Sequence, residues 1–292
     1  MAPAKPPASL EWEPLDEQQV DIFAHCVAEL GPELRNLPDD LVTMLVRGYV
    51  GEKDPKQCAV EHMIETSDWR KENDIETALT PKRLPENRQE FERLWRSSII
   101  GEDADGHPIV MESIGKIPTK EFAAAFTGDA AKEANFLAHS AFNKEILRKR
   151  NIVKSNEQQK RIYKMVVVLD LAGLSMSHLG STFTGLLKTY IGKFSNLYPE
   201  SLHKLLVINA PFVFSGAWGA ISLLMHPVTR AKIHIISNPK YALDELKKMG
   251  SKLDFSFEEA YAKAPPLSSL APQLQQIPPP FNPPNERRPR TE

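Results

Sequence analysis

Several short stretches of this chain carry residue types that do chemistry elsewhere, and each lacks a member its chemistry needs. GSTFTG (180–185) has the glycine spacing of a phosphate-cradling loop, but Leu186 and Leu187 stand where a Lys and a Ser/Thr must reach the phosphates. DLAGLSMS sets Ser175 behind a strand-like run without the G-x-S-x-G that presents a nucleophile. The eight histidines form no HExxH or H-x-x-E-H pattern and no His pair at i,i+4, so they read as surface or packing residues. DADG (103–106) lacks the later carboxylates of a calcium loop. Asp170 ends an apolar run, a place where α/β proteins put functional groups, but reads first as a turn residue. Cys26 and Cys58 offer neither a disulfide framework nor metal-ligand spacing. The expectation is a protein that is not an enzyme, with no catalytic set, no metal and no cofactor.

Composition narrows the partners. The 292 residues are 41% hydrophobic and 25% charged, with a formal net charge of −2, so no basic footprint for nucleic acid is present. MAPAKPPASLEWEPL has no apolar signal core, no run reaches membrane-spanning length, position 2 is Ala2, and no CaaX box is found. A soluble, cytoplasmic monomer is expected.

Four segments follow from the texture of the chain. Residues 1–14 are Pro-rich and expected to be disordered. Residues 15–85 read as a helical module: Val20, Phe23 and Val27, then Leu41, Leu45 and Tyr49, recur at threes and fours, and Asp54-Pro55 opens a further helix carrying Val60, Met63, Ile64 and Trp69. Residues 86–263 alternate strand and helix. SSII and IVMESI flank an Asp-Gly turn as a hairpin, a helical region runs over 119–150, and YKMVVVLDL (163–171) suits a parallel strand covered on both faces. A helix follows, then strand LLVINA and strand KIHIIS, which together predict βαβ units and a mostly parallel sheet. Residues 264–292 hold nine prolines and are expected to be an extended arm that joins no core.

The stretch Phe212 to Met225 is nearly uncharged, and its centre GAWGAISLLM is apolar around its whole circumference. At about 1.5 Å per residue such a helix spans about half a bilayer core. It is therefore either a buried core helix or a lid over something apolar, with Gly216, Gly219 and Pro227 as hinge punctuation.

D-x-x-G (170–173), Y-P-E (198–200), I-N-A-P-F (208–212) and P-V-T-x-x-K-I (227–233) occur together, with the hairpin DADGHPIV similar to D-x-D-G-R-P-V. This set, over about residues 15 to 257, resembles the CRAL-TRIO lipid-binding family and, within it, the yeast-type sec-fourteen phosphatidylinositol transfer proteins. The resemblance implies an N-terminal helical module followed by an α/β domain whose sheet floors an apolar pocket closed by a gate helix. It assigns Phe212, Phe214, Trp218, Ile221, Leu223, Leu224 and Met225 to the gate and pocket.

For the headgroup the resemblance implies Thr229 and Lys232, with Glu200 as the lysine's partner, and Asp103, Pro108 and Lys53 around the same site. An anionic phosphodiester calls for such a cation and hydroxyl. The family's basic segment near the headgroup appears here as LVRGYVGEKD, so Glu52 replaces an arginine. A choline headgroup would use aromatic faces with a hydroxyl pair on the phosphate. Ser175, Ser177 and Tyr198 keep part of that set, while Ile99 and Val110 stand where family tyrosines are expected. The resulting expectation is a carrier of phospholipid, phosphatidylinositol favoured over phosphatidylcholine, with transient contact to a membrane surface. The alternative is a module for another hydrophobic ligand, of tocopherol, retinoid or sterol type, whose Pro-rich tail recruits a protein partner.

Overall fold

The computed structural model describes residues 13–223, 225–254 and 256–275. The first helix, α1 (Glu17–Leu30), starts where Asp16 accepts the Gln19 amide at 2.9 Å and Gln19 returns a bond to the Asp16 amide, a reciprocal cap. Helices α2 (Asp39–Gly48) and α3 (Pro55–Glu72) complete the N-terminal module; Asp54 caps α3 and Pro55 supplies a first-turn residue that has no amide to leave unpaired. Ile22, Phe23, Cys26, Leu45, Val46 and Met63 form its core. Burial pushes the Cys26 thiol up to about 11, so this cysteine is an inert packing residue.

A short helix, α4 (Arg88–Leu94), follows; it forms because Phe91 and Leu94 have an aromatic cluster to bury against. The hairpin is β1 (Ser97–Glu102) and β2 (Pro108–Glu112), antiparallel with an irregularity between Ile99 and Gly101. Gly106 takes φ +86° in its turn. After α5 (Thr119–Phe126) comes the long α6 (Ala130–Gln158), capped by Asp129. The chain then alternates through β3 (Met165–Asp170), α7 (Ser181–Leu197), β4 (Leu202–Ile208), α8 (Phe212–Ser222), α9 (Pro227–Ala231) and β5 (Ile233–Ile236). It ends in α10 (Pro239–Lys248), α11 (Phe257–Lys263) and α12 (Ala271–Leu274). The sheet order is β1-β2-β3-β4-β5, with β2 through β5 parallel. This is the mostly parallel α/β sheet that the strand–helix alternation predicts.

Because side chains alternate along a strand, the sheet has two separate faces. Ile109, Met111, Val166, Val168, Leu206 and Ile208 pack under Ala242, Leu246, Phe257 and Ala260 of α10 and α11. Val110, Val167, Leu169, Leu205, Val207 and Ile233 point the other way, into a cavity. The continuous apolar run of β3 is thus explained differently from the expected double cover: helices cover one face, and the other floors a hollow.

The tail boundary moves. Residues past 264 were expected to join no core, but Pro266 bridges Ser98 of β1, and Leu267, Ala271 and Leu274 are buried against Phe142, Ile146 and Leu147. Three apolar residues at positions 267, 271 and 274 make a helical stripe that proline content alone conceals. Residues 276–292 lie outside the described residues. The N-terminal boundary moves as well, since Glu13 pairs with Arg47 at 2.6 Å.

Candidate functional site

The cavity floor is the second sheet face; its walls are α6 and α7, with Leu147, Leu187, Tyr190, Ile191 and Phe194 turned inward. Its volume is about 300 Å³, at the lower end of ligand pockets. One end is closed by Phe91, Trp95, Phe136 and Phe183 of an aromatic cluster. The remaining side is covered by α8, which turns Phe214, Trp218 and Ile221 into the cavity, followed by Met225.

The helix at 212–222 is therefore a lid. A core helix would hide its whole circumference, but Phe212 is 93% exposed and Leu223 77%. Val213 is exposed as well, so apolar surface stands on the outer side of the lid as on the inner. Phe212 and Leu223, expected with the pocket, turn away from it because they sit at the two ends of an outward-facing stripe. Leu224 lies outside the described residues. Gly216 and Gly219 lie within α8 on its exposed side, where an added Cβ would meet nothing.

The rim is built by the Y-P-E turn and α9. Glu200 holds φ +55° after Pro199, and its carboxylate meets Lys232 Nζ at 3.2 Å and Lys164 Nζ at 3.5 Å. Gly48 of α2 lies so close to Pro199 that a Cβ would come within 2.7 Å of it, so the N-terminal module is seated on this turn. Thr229, Lys232 and Glu200 all line the cavity. Two ammonium groups against one carboxylate leave one positive charge in excess, and the Thr229 hydroxyl adds a donor. Such a rim can hold an anionic group.

Other expected headgroup residues are not brought there. Asp103 and Pro108 lie in the hairpin, away from the cavity, because Asp103 is engaged with the turn: its Oδ1 accepts the amides of Asp105 and His107, each at 2.9 Å. Lys53 is exposed on the loop after α2 and does not line the cavity. Its neighbour Glu52 pairs with His226 Nε2 at 3.2 Å. Ser175 and Ser177 face outward; their hydroxyls contact each other at 2.9 Å, with Ser175 also bonded to His178 and Thr119 donating to Ser177. Tyr198 lines the cavity with its ring, but its hydroxyl donates to Glu145 Oε1 at 2.7 Å. Val110 faces the cavity, whereas Ile99 packs beside Phe142 and Leu147. Asp170 has the turn role expected of it, accepting from the Ala172 amide and from Asn209 of I-N-A-P-F.

Glu112 was missed. It lies on the cavity wall, accepting from Trp95 Nε1 at 3.0 Å and Ser97 Oγ at 2.5 Å, with Asn143 and Lys144 also on the lining. The signal was available, since Glu112 is two residues beyond Val110 and so shares its face of the strand.

Beneath the site Glu145 of α6 ties the module to the cavity wall. It accepts from Arg70 of α3 at 2.9 Å and from Arg148, which also reaches Asp40 of α2 at 2.8 Å. Burial raises the Glu145 carboxyl pKa, but the charges and hydrogen bonds of Arg148 and Arg70 outweigh it and hold the group well below the usual carboxylate range.

Residues 94–252 match the CRAL/TRIO domain. The chain is 30% identical over 167 residues to the "SEC14 cytosolic factor" of Yarrowia lipolytica, covering 57% of this chain and 33% of that one. It is 29% identical over 169 residues to "Phosphatidylinositol/phosphatidylcholine transfer protein SFH14" of Arabidopsis thaliana, covering 58% of this chain and 28% of that protein. The chain thus spans a third or less of the length of these two relatives. Its fold is similar to the crystal structure of Sfh5, with a TM-score of 0.61 at 15% identity, covering 89% of this chain and 97% of that one. By the match over more than half its length, the chain belongs to the CRAL/TRIO domain family.

Proposed function

We propose that the protein binds a phospholipid and carries or presents it between membranes without chemical conversion. The observation that carries this is the lid: α8 closes an apolar cavity with Phe214, Trp218 and Ile221 while its outer side exposes Phe212 and Leu223. Exposed apolar surface on the cover of a cavity is what a lipid-delivering element needs, because it can meet a bilayer if the cavity opens. Moving about thirty methylenes into water costs on the order of 24 kcal/mol at about 0.8 each, so an apolar wall that replaces water removes most of the barrier to exchange. Among the described residues no helix is long and apolar enough to cross a membrane. A cytoplasmic carrier in transient contact with membranes fits these features.

The favoured ligand is phosphatidylinositol. Thr229, Lys232 and Glu200 sit together at the rim, with a positive excess for the phosphate and a carboxylate for ring hydroxyls. The set for choline is incomplete, with Ser175 and Ser177 outside the cavity lining and Val110 in place of a ring. A transfer assay with fluorescent phosphatidylinositol between vesicles should show a rate well above protein-free vesicles; no such rate contradicts the proposal.

Glu112 favours a second reading. A carboxylate at the aromatic end of the cavity can accept from the single hydroxyl of a sterol- or tocopherol-type ligand, a contact that an acyl chain cannot make. In this reading the Pro-rich stretch at 276–292 recruits a protein partner. Loading of a sterol or tocopherol in place of phospholipid would establish it.

A further inference from the structure

Away from the cavity, the hairpin turn and the start of β4 bring together one carboxylate and two imidazoles. Asp103 is buried, and its Oδ2 lies 2.9 Å from His107 Nδ1. The His107 ring stacks on that of His203, the second residue of β4, with centroids 4.6 Å apart and planes 23° from parallel. Each of the three side chains offers one ligand atom, and all these atoms lie within 4.8 Å of one another.

We propose that Asp103, His107 and His203 form a binding site for a divalent transition-metal ion of the zinc class. The donor set decides the class: imidazole nitrogens suit zinc, cobalt, nickel and copper, whereas calcium and magnesium take oxygen ligands. Metal–ligand distances of about 2.0–2.2 Å place ligand atoms about 3–3.5 Å apart in a tetrahedral site. The Asp103–His107 pair, at 2.9 Å, is already near that spacing, and with all three ligand atoms within 4.8 Å of one another closure needs the His203 ring to draw inward. Asp103 does not have to move, because two backbone amides fix its other oxygen. Three protein ligands leave a fourth position for water.

Two features weigh against a simple turn clasp. Closing the turn requires only Asp103 and the amides it accepts, yet His203 arrives from a distant strand to stack on His107. The similar hairpin motif has arginine at position 107, where this chain carries a ligand-type side chain. Of the cations close to His203, Lys164 shares the Glu200 carboxylate (3.5 Å) with Lys232, and Lys204 shares that of Glu245 (3.6 Å) with Lys248. A bound ion would fasten the hairpin to the start of β4, stiffening the end of the sheet next to the Y-P-E turn.

The test is cobalt(II) titration of the full-length protein after chelator treatment, followed by visible absorption and by displacement with zinc chloride. Expected are d–d bands saturating at one ion per chain, no thiolate charge-transfer band from Cys58, and complete displacement by zinc. His203→Asn should weaken binding about ten-fold or more, while His234→Asn on the exposed edge strand leaves it unchanged. Should His203→Asn fail to fold, His107→Gln makes the same comparison, since the Asp103–amide bonds of the turn persist. Absence of saturable binding in the wild type, or equal affinity in the folded variant, overturns the site.

Discussion

Glu200 holds a backbone conformation that side chains other than glycine seldom adopt, at φ +55°, and thereby aims its carboxylate at Lys232 and Lys164. Lys232 is thus held at the rim with part of its charge uncompensated. Lys232→Ala removes a charge-assisted contact of roughly 1.5–3 kcal/mol and should lower phosphatidylinositol occupancy about ten-fold or more. The melting temperature should hardly change, because a partly exposed ion pair contributes little to stability. Quantified lipid extracts of variant and wild type check this, and equal occupancy contradicts the role. A second residue sets a pH dependence. His139 is buried on Phe91, with its Nε2 at 2.8 Å from the Glu86 carbonyl. Burial, reinforced by Arg88, lowers its pKa to about 4. The unfolded imidazole takes up a proton below about 6.5, so between pH 6.5 and 4 the unfolded chain binds more protons and stability falls as pH drops. The loss is on the order of 2–3 kcal/mol. His139→Asn should flatten this part of the stability–pH curve in urea titrations at pH 7 and pH 5, whereas an unchanged slope assigns it to other groups.

At the scale of elements, the decisive contrast is between the two sides of α8. Phe212 and Leu223 touch solvent, so Phe212→Asp or Leu223→Asp should shift unfolding free energy by no more than about 0.5 kcal/mol while sharply reducing vesicle docking. Trp218→Asp, by contrast, puts a charge against the cavity and should cost several kcal/mol. Differential scanning calorimetry together with vesicle co-sedimentation separates the two; strong destabilisation by Leu223→Asp would mark α8 as a core helix. The sequence made the lid legible as an uninterrupted apolar segment but not which side faced inward, since with no polar stripe there is no moment to orient it. The mostly parallel sheet was readable from the strand–helix alternation, and the turn role of Asp170 from its place at the end of a strand. The hollow beneath one face of β3 was not, since its apolar run reads as a strand covered on both sides. The headgroup set was readable only in part. Thr229, Lys232 and Glu200 meet at the rim, but Asp103, Pro108, Lys53, Ser175 and Ser177 are held elsewhere by local hydrogen bonds and loop positions that a motif does not encode. The His107–His203 stack was invisible because its members are brought together only by the register of β2, β3 and β4.

For the whole molecule, the N-terminal module and the domain whose sheet floors the cavity meet through buried charge. Arg70, Glu145, Arg148, Asp40 and the Tyr198 hydroxyl join α2, α3, α6 and the cavity wall. Glu145→Ala strands Arg148 and Arg70, although Asp40 and Glu76 remain as partial partners, so the expected cost is about 3 kcal/mol. Chemical denaturation checks that value, and a loss under about 1 kcal/mol would show that the two parts are held by apolar packing instead. The same assembly gives the protein a cavity with an apolar floor, a cationic rim and a cover that is apolar on both sides, which together amount to a container for an amphiphile. The most direct measurement is mass spectrometry of the lipid extracted from purified full-length protein after incubation with vesicles of equimolar phosphatidylinositol and phosphatidylcholine. Up to one phospholipid per chain, with phosphatidylinositol in excess, is expected; protein that emerges empty, or that carries only a sterol or tocopherol, contradicts a phospholipid carrier.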